Sequence, residues 1–243
     1  MKRIQYEIVY RTELDHWWYR VRRELTQKLI RIYAGKDGGL KILDIGCGTG
    51  ALMAELAAFG EVEGVDVSET AIAFCRARGL EQVKVGSITA LPYADETFDV
   101  ILALDVLEHV RDERAGIAEI KRVLKPGGTA VIFVPAFGFL WSRTDEFGEH
   151  FRRYTLPEIR AKLGGAGLEA RYSSYFNFFL FFPILFVRRL ARLFRASFTS
   201  ENEMGSPVTN ALCYRVFSFE RMLLPRVRFP FGVSVMAVCR KQQ

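Results

Sequence analysis

The chain alternates between two spacings of apolar residues. Leu14, Trp18, Val21, Leu25, Leu29 and Ile32 recur every three or four positions, which predicts a helix over 13–33 with one face on a core. "TELD" offers Thr12 as its cap, with Asp15 three residues on. "GKDGG" at 35–39 ends that helix, and "LKILDI" is the short unbroken apolar run of a buried parallel strand. Helices are then predicted over 51–59, 68–78 with Ser68 as cap, and 112–124, and strands over 61–67, 82–87, 98–104 and 128–135. This order implies a parallel sheet with helices on both faces.

After Pro135 the period dissolves into "AFGFLWSRTDEFGEHFRRY", a loop at a strand's carboxyl end, where open α/β sheets bind ligands. "TLPEIRAKLGGAG" reads as a helix capped by Thr155 with Pro157 in its first turn, and strands follow at 168–176 and 232–240. Between them lies an insertion from about Phe176 to Phe231. It opens with "FNFFLFFPILFV" and continues with "RRLARLFR", where Arg188, Arg192 and Arg195 share one helical face opposite Leu190, Leu193 and Phe194. A twelve-residue helix spans about 18 Å, short of the ~30 Å hydrocarbon core. An Arg-faced, Phe-rich element suits the plane of a membrane interface instead.

Charge sharpens that picture. Residues 171–243 carry 11 Lys/Arg against 3 Asp/Glu, while residues 1–170 carry 23 against 25, so the net charge of +6 arises entirely in the last third. This points to a local anionic partner, with an anionic membrane surface preferred. Nucleic acid is disfavoured because the aromatics cluster with Leu and Ile and do not interleave with the arginines. Cys47, Cys75, Cys213 and Cys239 show no metal-ligand or disulfide spacing, and "MKRIQYEIVY" has no apolar run of the signal-peptide kind, so a cytoplasmic protein is expected.

The sharpest chemical signal is "ILDIGCGTGA" at 42–51, a strand running into Gly46, Gly48 and Gly50 before a helix. Such glycines let the backbone approach a ligand, and the helix behind them presents free N–H groups. The string also fits the dinucleotide fingerprint, so the glycines alone do not separate a nicotinamide enzyme from other nucleotide binders. Asp44, two residues before the first glycine, favours a cationic ligand moiety over a pyrophosphate. Asp66, 18 residues after Gly48, suits ribose hydroxyls.

"LDIGCGTG", "GVDVS", "LPYADETFDVILALDVLEHV" and "LKPGG", in this order and spacing, resemble the class I S-adenosylmethionine-dependent methyltransferases, in particular the quinone-biosynthesis and small-molecule O-methyltransferase type. The resemblance is specific over roughly 40–135. It implies a Rossmann-like, doubly wound, seven-stranded, mostly parallel sheet whose antiparallel last strand lies beside the preceding one. The chain is then a single domain over 1–243, with an N-terminal helical lid at 1–36, a cofactor-binding core at 37–175, the apolar and basic insertion at 176–231 and the final strand at 232–243. The cofactor implied is S-adenosylmethionine, with S-adenosylhomocysteine as product. By the same resemblance Asp44, Gly46 and Gly48 lie along the cofactor, Asp66 holds the ribose, Val67 packs on adenine, Ser87 and Ile88 meet the adenine edge, and Leu104 flanks the methionine chain. Arg22 on the N-terminal helix faces the cofactor carboxylate, with Trp17 and Tyr19 as lid or pocket wall. Trp18 is read as core, and His16 and Arg23 as facing elsewhere.

Methyl transfer from a sulfonium needs alignment and exclusion of water, and a base only where the acceptor loses a proton. His150 is the candidate base, with Trp141, Arg153 and Tyr154 beside the acceptor. Asp105, Glu108 and His109 are metal-ligand types, but His109 is read as a packed residue at a helix start and no metal is assigned. The expected acceptor is a hydrophobic or lipid-linked small molecule. A soluble O- or N-methyltransferase with a hydrophobic lid, a homodimer, and a catalytically silent cofactor-binding adaptor are the competing readings.

Overall fold

The computed structural model describes residues 3–35, 38–193 and 206–242. Its elements are, in chain order, α1 (Arg3–Thr12), α2 (Trp17–Tyr33), β1 (Leu40–Ile45), α3 (Ala51–Leu56), β2 (Gly60–Asp66), α4 (Glu69–Ala77), β3 (Val83–Val85), β4 (Phe98–Leu104), α5 (Glu113–Val123), β5 (Leu124–Pro135), α6 (Arg143–Phe147), α7 (Leu156–Gly165), β6 (Leu168–Phe176), α8 (Phe181–Leu193), α9 (Pro207–Leu223) and β7 (Ser234–Lys241). The seven strands form one sheet in the order β3-β2-β1-β4-β5-β7-β6. All neighbours are parallel except β7, which runs antiparallel to β5 and β6 between them. The expected architecture is present, with the last strand inserted where the resemblance implied.

Alternation along the central strands divides the core in two. Leu43 and Ile45 of β1 and Ile132 and Val134 of β5 face Ile117 and Ile120 of α5 and Ile159 and Leu163 of α7. Their neighbours Ile42, Val131 and Phe133 face the other way, onto Val21, Leu25 and Leu29 of α2 and Phe217 and Leu224 of α9. Every β1 side chain but that of Lys41 is buried, as expected for a parallel strand covered on both sides.

The N-terminal segment differs from its sequence reading. The helix expected over 13–33 is α2, which starts at Trp17, and a further helix precedes it: Thr12 is the last residue of α1, its hydroxyl donating to the Ile8 carbonyl at 2.9 Å. The cap of α2 is His16, whose Nδ1 accepts from the Trp18 N–H at 3.3 Å, and burial lowers its pKa to about 4. A neutral imidazole accepts at one ring nitrogen, so it does here what Ser or Asp does at other helix starts. His16→Ala is expected to cost about 1 kcal/mol in urea unfolding; no loss would refute the capping role. Leu14 and Ile32, counted in the buried stripe, are exposed, Leu14 in the turn between α1 and α2 and Ile32 in the last turn of α2. Arg23 is buried, pairing with Glu55 at 2.7 Å and donating to the Glu13 carbonyl.

α9 is a helix that the apolar spacing of the insertion does not signal. It begins with Ser206 accepting from the Thr209 N–H and Pro207 in its first turn. Its end is held by Lys28 of α2, which donates to the Leu224 carbonyl at 2.5 Å. Buried Glu220 accepts from the Phe178 and Phe179 N–H groups at 2.7 and 3.2 Å, tying the turn after β6 to α9. Arg188 does not stand on a free basic face, since it donates to the Leu140 carbonyl at 2.9 Å. Phe194 and Arg195 lie outside the described residues, as do the side chains of Arg192 and Leu193.

Candidate active site

The loop after β1 is pinned by its neighbours. The Gly46 N–H donates to the Val65 carbonyl at 2.7 Å, and a Cβ at Gly46 would lie 2.6 Å from Val106 Cγ2. With φ at +70°, this position is glycine for both reasons. At the end of β2, Asp66 Oδ2 accepts from the Gly48 N–H at 3.0 Å and Oδ1 from the Ser68 N–H at 2.9 Å. One carboxylate thereby sets the loop against the adjacent strand. Asp44 is buried, and burial pushes its pKa up to about 7, with the Asp66 and Glu13 charges adding to the effect. Asp44 and Asp66, on one side of the loop, favour a positively charged guest.

The first two helices reach this edge through residues that periodicity did not single out. The Tyr6 hydroxyl hydrogen-bonds Asp66, and burial, reinforced by the Asp66 charge, raises its pKa to about 12. Glu13 accepts from Thr49 Oγ1 and pairs with Arg78 Nη2 at 2.5 Å, while Arg78 Nε donates to the Thr49 carbonyl at 2.7 Å. The α1–α2 turn is therefore fastened to the glycine loop. Arg22 arrives from α2 with Nη1 2.5 Å from Asp105 Oδ2 and its guanidinium 5.0 Å from the Trp18 ring centroid. It stands at the carboxyl end of β4, where Asp105 adopts a left-handed conformation.

Other expected cofactor contacts distribute unevenly. Val67 is 69% exposed beside Asp66, an apolar surface open to a ring. Leu104 is half-buried against the α2 side of the core. Ser87 is turned to Thr89, its Oγ 2.8 Å from the Thr89 hydroxyl. Ile88 is a correction: it is buried in the layer between sheet and α5, against Gly116, because the chain after β3 dips inward there. Trp17 is another, since its ring packs 5.8 Å from Phe217 and its N–H donates to Asn210 Oδ1 at 2.8 Å. It joins α2 to α9 and is not directed at the glycine loop.

On the acceptor side the loop after β5 is organised by Asp145, which the sequence reading missed. A Ser142–Asp145 capping box starts α6. The buried Asp145 carboxylate also lies 2.8 Å from His150 Nδ1 and takes Arg153 bidentately at 2.8 and 2.9 Å. These partners hold its pKa far below the usual carboxylate range in spite of burial. An ionised carboxylate only accepts, so the His150 proton sits on Nδ1 and the basic lone pair on Nε2. Arg153 also donates to the Ala136 carbonyl at 2.9 Å, which makes it a clamp on the loop and corrects its placing beside an acceptor. Tyr154 is a second correction: it is fully buried in the core, with its hydroxyl 2.5 Å from Glu113 Oε2. Trp141 is half-buried at the start of the loop. His150 stacks edge-on to His109 at 4.5 Å between centroids, and ligand atoms of Glu108, His109 and His150 all lie within 4.8 Å of one another. Both Glu108 oxygens are buried without a hydrogen-bond partner, and burial keeps that carboxyl well above its ordinary pKa. This donor set fits a divalent cation.

Comparison with known proteins decides what the glycine-loop edge belongs to, because residues 43–132 match the family model described as "Methyltransferase domain". Over residues 43–132 the chain is similar to methyltransferases. A Mycolicibacterium smegmatis protein, named as a probable S-adenosylmethionine-dependent methyltransferase, is 33% identical over 161 residues, covering 64% of this chain and 60% of the relative. The ubiquinone biosynthesis O-methyltransferase of Mesorhizobium japonicum is 45% identical over 154 residues, covering 54% of this chain and 60% of that protein. The chain thus spans about three fifths of the length of these two relatives. A Haemonchus contortus phosphoethanolamine N-methyltransferase solved with S-adenosyl-L-methionine shares the fold, with a TM-score of 0.59 and 20% identity over 90% of this chain and 52% of its own.

The matched range contains Asp44, Gly46, Gly48, Asp66, Val67, Ser87, Ile88 and Leu104, together with Glu108 and His109. Arg22, Trp141, His150 and Arg153 lie outside the matched range. Arg22 is brought to the carboxyl end of β4 by α2, and His150 is brought against His109 by the loop after β5.

Proposed function

We propose that the chain transfers a methyl group from S-adenosylmethionine to a hydroxyl of a hydrophobic or lipid-linked small molecule, at or near a membrane surface, leaving S-adenosylhomocysteine. The observation that carries this reading is the pair of buried carboxylates, Asp44 and Asp66, flanking a positive-φ glycine loop within the range similar to methyltransferases. Bound S-adenosylmethionine supplies an electrophilic methyl carbon on a sulfonium whose departure needs no acid. Asp44 attracts the cationic methionine end, Asp66 accepts from the ribose hydroxyls, and Val67 covers the adenine face. Arg22, turning from Asp105, meets the cofactor carboxylate.

On the other side, Asp145 fixes the ring of His150, so that Nε2 takes the acceptor proton as the oxygen attacks. Trp18, half-buried with the Arg22 guanidinium 5.0 Å from its ring centroid, gives this edge an apolar wall that excludes water. A second reading is favoured by Glu108, His109 and His150: a divalent cation held there supplies positive charge that makes an acceptor hydroxyl more acidic.

Calorimetric titration tests the cofactor, and folded protein that binds neither S-adenosylmethionine nor S-adenosylhomocysteine would overturn the proposal. For the acceptor, labelled methyl is followed from S-adenosylmethionine into a cell extract split into lipid and aqueous phases, and label in the lipid phase is expected. Chelation before that assay separates the two readings. An unchanged rate supports His150 as base; loss of the rate, restored by added divalent cation, supports the metal.

A further inference from the structure

The two helices of the insertion present an outer side that nothing in the described structure covers. α9 packs on α2 through Tyr214 and Phe217, and Val208, Leu212, Phe219 and Met222 project from its opposite side, all exposed. Their spacings of four, seven and three place them within one stripe. On α8, Phe182 and Phe186 are exposed one turn apart. Exposed Phe179 lies 5.8 Å from Phe219 between ring centroids, which joins the two stripes into a single apolar strip. A strip of this length on a soluble surface marks an interaction site.

Charge selects the occupant. Among the described residues of 176–231 the exposed charged side chains are all arginine, namely Arg189, Arg215, Arg226 and Arg228. The acid in this set, Glu220, is buried beneath the strip. Two copies meeting through this face would set the guanidinium groups of Arg189 and Arg215 against their own kind, with no exposed carboxylate among the described residues of the insertion to receive them. An anionic bilayer accepts the arginines among its headgroups and the phenylalanines at the acyl boundary. No helix among the described residues is long and apolar enough to cross a membrane, so contact is in the plane of the surface.

We propose that the α8–α9 strip docks on an anionic phospholipid surface. The inner side of α9 carries Phe217, stacked 5.7 Å from Trp18. Docking therefore sets the apolar wall of the site directly behind the bilayer contact, where a lipid-linked acceptor passes to it without crossing water; this last point rests on the methyl-transfer reading, and the docking itself does not.

The test is flotation of the full chain with vesicles of phosphatidylcholine alone or mixed with phosphatidylglycerol. Two double variants accompany it, Phe182→Ser/Phe186→Ser and Arg189→Glu/Arg215→Glu, each checked by thermal unfolding and by S-adenosylmethionine titration. The wild-type chain is expected to float with the mixed vesicles and not with phosphatidylcholine alone. Both variants should lose about tenfold or more of that binding with unfolding temperature and cofactor affinity unchanged. Equal binding to both vesicles, no binding, or full binding by either variant overturns the proposal. So does a wild-type dimer in sedimentation velocity that Phe182→Ser/Phe186→Ser abolishes, which would assign the strip to a second copy. Vesicle binding without cofactor binding would sink the methyl-transfer reading and leave the docking surface standing.

Discussion

Asp44→Asn is expected to raise the stability of the ligand-free protein at pH about 8 while weakening S-adenosylmethionine binding by about 10–100-fold, the loss of one charge-assisted hydrogen bond. Both effects arise from one buried carboxyl whose pKa lies near 7 in the folded chain and about 3.9 when unfolded. A group raised in this way stabilises the fold fully below about pH 4, and that contribution is lost as pH rises through about 7. Asparagine carries no charge to desolvate, so the variant's advantage is absent at low pH. It grows across the window to a ceiling of about 4 kcal/mol. Urea unfolding of both proteins across that pH range, with calorimetry at its upper end, checks the two signs. A variant that is less stable above neutrality, or that binds the cofactor normally, would remove Asp44 from the site.

Asp145→Ala should destabilise the protein by about 3–5 kcal/mol, because it leaves the buried Arg153 guanidinium without its counter-charge. The sign of the pH dependence is opposite to that of Asp44. A carboxylate held far below its ordinary pKa stabilises the fold above about pH 4, and this contribution is lost on further acidification. Wild type and variant should therefore converge in strong acid. Asp145→Asn keeps the shape but not the charge and should fall between them. If guanidinium-induced unfolding gives the alanine variant wild-type stability, the loop does not depend on this hub. With the hub removed, His150 also loses the partner that fixes its proton on Nδ1, so methyl transfer should fall even where the fold survives.

How far the sequence discloses this molecule depends on which side of an element carries its contacts. β4 is legible to the residue because a strand covered on both faces is apolar at nearly every position, Asp99 being the exception. α9 is not, because one of its stripes meets α2 and another meets solvent, so no single period dominates Pro207–Leu223. The serine-proline pair at its start was the available signal. α1 is hidden for a related reason. Its inward residue is Tyr6, whose partner is the Asp66 carboxylate, a contact that hydrophobic spacing cannot register.

The same division runs through the candidate site. The glycine loop, Asp44 and Asp66 are readable since their spacing along the chain is set by one strand–loop–helix unit. Glu13, Arg78 and Asp145 act across 65, 36 or 8 residues of sequence and meet their partners only after the helices have packed. Tyr154 misled because an aromatic beside two arginines in a loop looks like a pocket wall. Its backbone pairs with Ala136 at the foot of the loop, and this turns the ring inward.

The position of β7 has a bearing on how the chain is made. Residues 234–241 occupy the slot between β5 and β6, so during vectorial synthesis both of those strands emerge with an unpaired edge. These edges stay open until residues 234–241 have themselves left the ribosome. The whole of α8 and α9 is translated in that interval. The nascent protein thus displays its greasiest, most basic segment while its sheet is still incomplete, and the final strand acts as the keystone that closes the fold.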